Sequence, residues 1–362
     1  MTDLDKARQI INEVDKELTK LFEKRMDAVK LVAKYKKERG LPVENLQREQ
    51  EVINRNVSCI MNEEYKPYFT NFLNYNMELS KNYQHRLLDG MKVAFSGTKG
   101  AFAEIAAKKI FPGANHIAYP DFKSAYNSVE SGECDCVLLP LENSFNGDVG
   151  QVMDLAFFGK LYINGIYEAE IVQNLLGVKG AQLSDIKKVI SHPQALGQCA
   201  DFIEKHSLQK IECENTAIAA KEVSAGGDKT VAAIASEEAA KRYNLSILQS
   251  HINQSGSNTT RFAVFSLSQK KPEKTDGHFI LLFTVKNVAG SLGKAISVIG
   301  DYGFNLLSLK SRPTKELIWN YYFYAEGEGD ISGEKGTQML KKLSECCSDV
   351  KLVGSFEKEQ KI

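Results

Sequence analysis

Residues 3–39 contain neither Gly nor Pro. Within that run Leu4, Ala7, Ile11, Val14, Leu18, Leu21, Ala28, Val29 and Val32 recur at helical spacing. Gly40 and Pro42 close it, a C-terminal cap followed by a breaker. An unbroken helix of ~36 residues is ~54 Å long. A small domain cannot bury such a rod alone, so the pattern predicts a coiled coil or an intertwined oligomer. Shorter helical stretches follow at about 46–62 and 67–87, separated by the polar Asn62-Glu63-Glu64-Tyr65-Lys66-Pro67. The first block is therefore expected to be all-helical.

Charge stands where this block should be apolar. On a wheel of about 100° per residue, Val29, Val32 and Lys36 each fall within about 40° of Arg25. Leu18 and Leu21 share the face. Cations on an apolar stripe either snorkel to water or line an anion pocket. In a pocket, a carboxylate such as Glu49 or a dianionic ligand must offset their desolvation. Arg48-Glu49 opens the next helix. Ser80 and Gln84 are an i, i+4 pair and share a face. Arg8, near the start of the long helix, could enter the pocket of an antiparallel second copy. The set lacks a His or Cys nucleophile. It suits binding a small dicarboxylate and stabilising charge during a rearrangement, and does not suit hydrolysis.

The 362 residues predict two or three domains at ~150 residues each. Lys+Arg and Asp+Glu are 46 each, which argues against a general nucleic-acid binder and an acidic disordered chain. No apolar run approaches the ~20 residues that span a bilayer, and the polar start Met1 to Lys6 lacks a secretory signal. The 7 cysteines, odd in number and scattered, read as reduced thiols of a cytoplasmic protein. Cys134-Asp135-Cys136 and Cys346-Cys347 lack paired C-x-x-C spacing, so no metal is expected. The basic run Lys24 to Arg39 would suit a nucleic-acid or membrane face. Arg25 and Lys36, on its apolar side, weaken that reading.

The texture changes at Asp89-Gly90-Met91. Lys92–Ser96, His116–Tyr119, Cys136–Leu139, Leu161–Ile166, Lys188–Ser191, Lys210–Cys213 and Val231–Ile234 read as strands. Helix candidates lie at 101–110, 121–131, 194–206 and 216–225. Such alternation predicts a mostly parallel sheet covered by helices. Either one doubly wound unit or two lobes around a cleft would fit. Polar turns sit beside these strands. Ser96-Gly97-Thr98-Lys99-Gly100-Ala101-Phe102 opens a helix, where backbone N–H groups cradle anions, but it does not match a phosphate loop. A carboxylate is the better ligand. Pro140-Leu141-Glu142-Asn143-Ser144 and Ser191-His192-Pro193-Gln194, with Gln198 beyond, follow strands, where α/β sheets bind ligands. Asn258-Thr259-Thr260-Arg261-Phe262 leads into another strand at 262–267. Any one such turn is bland, since Asn and Ser favour turns; their convergence would make a site.

Residues 269–277 read as a polar linker. Beyond it, strand (278–286), helix (291–302), strand (305–311), strand (317–326), helix (333–347) and strand (350–356) follow the ferredoxin-like order. Expected domains are thus 1–88, 91–268 and 277–362.

Arg8, Arg25, Lys36, Arg48-Glu49 and Ser80-x-x-x-Gln84 resemble the all-helical chorismate mutase domain. The resemblance implies an intertwined homodimer. Arg25 and Arg8 of a second copy would hold the carboxylates, with Arg48 in support. Lys36 and Gln84 would donate to the ether oxygen whose bond breaks, and Glu49 and Ser80 would bind the hydroxyl side. Asn45 stands where some members carry an acid, and is also a good N-cap. Most of 91–268 resembles prephenate dehydratase through Thr259-Thr260-Arg261-Phe262, Glu142-Asn143-Ser144 and Ser191-His192-Pro193-Gln194. That family has two α/β lobes, similar to periplasmic solute-binding proteins. Thr260 matches the family's proton donor. Arg261 would orient its turn or pair with a carboxylate; Thr98, Lys99, Asn143, Ser191, His192 and Gln198 would position substrate, with no cofactor. Asn287-Val288-Ala289-Gly290-Ser291-Leu292 and Lys310-Ser311-Arg312-Pro313 resemble the phenylalanine-binding motifs of the ACT domain. There Ser291 replaces the usual Ala and Lys310 an acid. The resemblance implies a bifunctional enzyme of phenylalanine biosynthesis, feedback-regulated, dimeric or of higher order. A non-catalytic amino-acid sensor is the alternative; intact Lys36, Gln84 and Thr260 speak against it.

Overall fold

The computed structural model describes residues 2–254, 258–314 and 321–362. The chain forms two compact units, Met1–Lys92 and Val93–Ile362. Among the described residues no helix is long and apolar enough to cross a membrane.

The first unit is helical. Its long helix runs Asp3–Arg39, started by a reciprocal cap between Thr2 and Asp5. Gly40 ends it at φ 62°, returning its N–H to the Lys36 and Lys37 carbonyls. Asn45 caps the next helix, Leu46–Val57, by accepting from the Arg48 N–H at 3.0 Å. The third, Lys66–Asp89, carries Pro67 in its first turn, where the missing N–H is harmless. Of the long helix only Val29 and Ala33 are buried. Val32, placed by the wheel in the buried stripe, is 44% exposed, while Ala33 is 1% exposed. The buried face is rotated towards Ala33, whose small side chain fits the close side of a helix contact. Ile10, Ile11, Leu18 and Leu21 stay exposed, so the N-terminal part of the apolar stripe is uncovered within its own unit.

The second unit contains two sheets. In spatial order the larger one runs Asn305–Pro313, Tyr321–Glu328, His278–Thr284, Asp349–Phe356, Tyr162–Glu170, Thr259–Ser266, Cys136–Asn143, Lys92–Ser96 and Asn115–Tyr119. The smaller runs Ser246–Gln249, Asn174–Gly177, Val231–Ala235, Lys188–Ser191 and Gln209–Glu212. Neither sheet is mostly parallel. Thr259–Ser266 is antiparallel to both neighbours, because the chain leaves the first lobe after residue 170 and re-enters it from the second. The crossing is pinned where the Ile171 N–H donates to the Asn258 carbonyl at 2.8 Å and Asn253 Nδ2 to the Ile171 carbonyl at 2.6 Å. Helices Gly150–Phe158 and Glu237–Arg242 and strands Asn174–Gly177 and Ser246–Gln249 had no counterpart in the sequence reading. Short segments have too few residues to display a period.

The C-terminal part alternates strand, helix, strand, strand, helix, strand, and both helices share a core with one sheet face. Its Asp349–Phe356 strand pairs with Tyr162–Glu170 through Gly354 and Ile163, so its sheet continues the first lobe's. A Cβ on Gly354 would lie 2.3 Å from the Ile163 carbonyl oxygen, which fixes glycine there. The polar segment 269–277 is tied down: buried Asp276 accepts from Lys270 Nζ at 3.0 Å and Ser355 Oγ at 2.9 Å.

Candidate active sites

In the helical unit the buried stripe brings Arg25 against the third helix. Its Nη1 donates to the Asn76 carbonyl at 3.1 Å and to Ser80 Oγ. Burial pushes the Arg25 pKa down, which a bound anion would reverse. Ser80 and Gln84 are the buried residues of that helix. Gln84 Nε2 donates to the Ser80 carbonyl at 3.3 Å, leaving its buried Oε1 unpartnered. Lys36 folds its ammonium back onto the Val43 carbonyl at 2.6 Å. Glu49 accepts from Lys81 at 3.0 Å through Oε2. Asn45 is occupied as a cap, and Arg48 pairs with Glu51 at 3.4 Å. Arg8 lies 17 positions before Arg25 on one helix, about 25 Å along the axis. It therefore does not join this group within one copy. A groove of about 520 Å³ lined by Leu18, Leu21, Phe22, Phe72, Tyr75 and Leu79 reaches Arg25.

Between the lobes of the second unit lies a cleft of about 720 Å³. Strand ends and helix starts supply its walls, among them Ser96, Gly97, Phe102, Asn143, Asn146, Gln173, His192, Gln194, Gln198, Asn215 and Thr260. Asn143 and Thr260 face each other across paired strands. Asn143 Oδ1 accepts from the Phe145 N–H at 3.1 Å and from the Asn146 N–H at 3.0 Å. Those donors fix the amide, so Nδ2 must face Thr260. It donates to Thr260 Oγ1 at 3.0 Å, to Asn258 Oδ1 at 3.0 Å and to the Thr259 carbonyl at 2.9 Å. Buried Thr260 thus has an acceptor site filled and its proton free to donate. Gln198 is buried beside Gln173, whose Nε2 donates to Gln198 Oε1 at 3.3 Å while its own Oε1 has no partner. His192 caps its helix by accepting from the Gln194 N–H at 3.2 Å, and burial lowers its pKa.

Other expected site residues lie elsewhere. Ser191 is fully buried and donates to the Ile234 carbonyl at 2.6 Å. Lys99 is exposed. In its turn the Gly97 N–H is taken by the Tyr119 carbonyl at 2.8 Å and the Gly100 N–H by Glu104. Those donors are spent on the fold rather than on an anion. Thr98 bridges the lobes, its hydroxyl donating to Asn215 Oδ1 at 3.3 Å. Ser144 Oγ accepts from the Thr259 N–H at 2.9 Å. Glu142 and Thr259 lie in strands, not turns. Strand alternation sends Arg261 away from Thr260's side, where it meets Glu142 at 2.8 Å, Glu326 at 2.8 Å and Glu359. Burial opposes its charge, but those carboxylates carry its pKa upward. Burial would likewise raise Glu142, yet Arg261 and Lys310 hold it below the usual carboxylate range. The sequence reading did not single out Gln173, Asn146 or Asn215. Each lies in a connection between elements with no spacing to mark it, and only the two-lobed closure gathers them.

The C-terminal motifs divide the same way. Lys310 bonds Asp148 and reaches Glu142 at 3.3 Å, and Asp148 lines the cleft. Arg312 makes a bidentate pair with Asp154 at 2.8 and 3.1 Å, to which the Tyr322 hydroxyl adds a bond at 2.8 Å. Ser311 and Pro313, on the opposite strand face, are exposed. Ala289 and Gly290 form an exposed turn before the helix that Ser291 and Leu292 begin. The structure does not set this turn in the cleft wall.

Comparison with known proteins agrees with this geometry. The family described as prephenate dehydratase matches residues 93–270, and chorismate mutase type II matches residues 7–85. A bifunctional chorismate mutase/prephenate dehydratase of Aquifex aeolicus (strain VF5) is 31% identical over 99% of each chain. The solved prephenate dehydratase of Arthrobacter aurescens, in complex with L-Phe, superposes with TM-score 0.69 at 25% identity over 74% of this chain and 90% of that one. A structure titled GqqA, a novel type of quorum quenching acylase, gives TM-score 0.68 at 28% identity over 74% and 98%. With helical and two-lobed regions both matched, in the same order and along the whole length, the chain belongs to the bifunctional chorismate mutase/prephenate dehydratase family.

Proposed function

We propose that the helical unit rearranges chorismate to prephenate and that the interlobe cleft converts prephenate to phenylpyruvate. The observation that carries the second step is the Asn143–Thr260 bond inside the cleft. Prephenate loses its ring carboxylate as CO2 and its 4-hydroxyl as water. The C–CO2 electron pair enters the ring as the C–O bond breaks, and aromatisation drives both. A threonine hydroxyl is a weak acid, so its use depends on preorganisation. The amide donating to Thr260 Oγ1 leaves the hydroxyl proton to be delivered to the leaving oxygen, and stabilises the oxygen that parts with it. Gln198, Gln173 and His192 surround the substrate; Arg261, Glu142, Thr259 and Ser144 hold the strands that present Thr260, and Ser191 holds the second lobe.

In the helical unit the Arg25–Ser80–Gln84 group supports binding of a dicarboxylate, with Lys36 able to leave the Val43 carbonyl for an ether oxygen that gains charge. The uncovered apolar stripe supports a homodimer through the long helices, which would also bring Arg8 of a second copy to Arg25. Residues 277–362, with their strand and helix order, support reading them as an ACT domain that senses phenylalanine. The L-Phe complex of the relative favours that effector. The helical domain would end near 88 and the dehydratase domain span 91–268.

The test is to supply purified protein with chorismate alone and assay phenylpyruvate, with and without phenylalanine. Product that falls with phenylalanine is the expected outcome. Accumulated prephenate would overturn the dehydratase assignment, and untouched chorismate the mutase assignment.

A further inference from the structure

Lys81 follows Ser80 on the Lys66–Asp89 helix, and one step turns it ~100° round the axis, towards the Leu46–Val57 helix. There its Nζ donates to Glu49 Oε2 at 3.0 Å, with both side chains more than two-thirds buried. The other oxygen, Glu49 Oε1, is buried and has no hydrogen-bond partner. Gln84 Oε1, one turn further along the same helix, is bare in the same way. A buried oxygen left without a donor is costly, and a carboxylate can only accept. Glu49 is therefore half satisfied by the protein, and its free lone pairs point to a donor that the folded unit lacks. Desolvation offsets much of the attraction in a pair buried to this extent, so stability alone does not account for Lys81.

We propose that Lys81 is a positioning residue of the mutase site. It pins Oε2, so that Oε1 is the oxygen presented to the hydroxyl of the substrate. This rests on the reading of the helical unit as a chorismate mutase. Asn45, at the end of the neighbouring loop, is occupied as a helix cap, which leaves Glu49 Oε1 as the bare carboxylate oxygen able to recognise that hydroxyl. Lys81 thereby acts on substrate through another side chain.

The test is a double-mutant cycle in the full-length chain. Lys81→Met should lower mutase kcat/KM for chorismate about tenfold, the order expected for a hydrogen bond to a charged group. Lys81→Arg, which keeps the donor, should recover most of it. In a Glu49→Gln background Lys81→Met should cost little more, because no carboxylate remains to be positioned. Dehydratase turnover of prephenate, measured on the same samples, should stay at the parental level and reports folding of the rest of the chain. Parental kcat/KM in Lys81→Met overturns the proposal. So does an equal loss in both backgrounds, which is what a merely structural role would give. Failure of the unsubstituted protein to convert chorismate would overturn the mutase reading itself and this inference with it. An active parent indifferent to Lys81 overturns only the inference.

Discussion

Thr260 Oγ1 accepts from Asn143, and the Asn143 amide is oriented by donors from Phe145 and Asn146. The proton on Thr260 is thus committed to the cleft by hydrogen bonds two residues away. Thr260→Ala should lower dehydratase turnover by about 10²–10⁴-fold, the range of general acid catalysis, with mutase turnover of chorismate unchanged. A dehydratase that survives it would place the donor elsewhere. Lys36→Ala should have the reverse effect, about 10²-fold or more on the mutase through loss of a charge-stabilising donor, checked by following chorismate and prephenate separately. His192 gives a pH handle. Burial lowers its pKa from the usual 6.5, so the unfolded chain takes up a proton before the folded one does. As pH falls below that usual value the second lobe should lose stability, and it should regain it as pH rises. Protonation also removes the ring acceptor that caps Pro193–Gln198. An NMR titration of His192 at or above 6.5 would contradict this.

At the scale of elements, close approaches set what each segment can be. The helix Gly150–Phe158 begins under the Arg312 guanidinium, and a Cβ on Gly150 would lie 2.1 Å from Arg312 Nη1. Gly150→Ala should push Arg312 off Asp154. Asp154 would keep the Tyr322 hydroxyl, so the loss should stay below the ~3–5 kcal/mol that a buried pair costs when one partner is left bare. Thermal unfolding of the second unit should shift down accordingly, while that of the helical unit stays put. The strand Cys136–Asn143 is also longer than the apolar run that signals it. Pro140, Glu142 and Asn143 look like a turn in one dimension, yet they continue the ladder by pairing with Thr259–Ser266. Tertiary pairing overrides the local preference of those residues. Likewise the wheel found the face of the long helix but not its rotation: Ala33 rather than Val32 is buried, because the helix that docks on it decides which side is close.

Within the second unit, the C-terminal part and the cleft are joined by charge. Lys310, in a motif expected to hold an effector, instead reaches Asp148 in the cleft wall and Glu142, which also binds Arg261 beside Thr260. Lys310→Ala should therefore weaken the response of dehydratase activity to phenylalanine more than it changes the uninhibited rate. Inhibition curves for the two proteins check it. An unchanged curve would mean that the signal travels by another route. The bare apolar stripe of the long helix adds an expectation of its own. Mutase activity should fall on dilution as copies separate, since a groove reaching Arg25 lies open in one copy, whereas dehydratase turnover per chain should hold.

The sequence by itself determined the long helix, the change of texture at residue 89 and the final order of strands and helices. Periodicity, Gly and Pro are local signals, and long elements carry enough of them. It also grouped Ser80 with Gln84, because i, i+4 spacing fixes which side chains share a face, and the third helix carries both buried beside Arg25. Only the tertiary structure decided that Ser191 and Arg261 serve the scaffold while Gln173 and Asn146 meet the cleft. It also decided that Lys310 turns inward to an aspartate, and that Lys81 pairs with Glu49. Those outcomes depend on which strands pair and where the chain returns to its first lobe. Contacts between residues more than a hundred positions apart, such as Asn143 with Thr260, leave no period or spacing in the sequence.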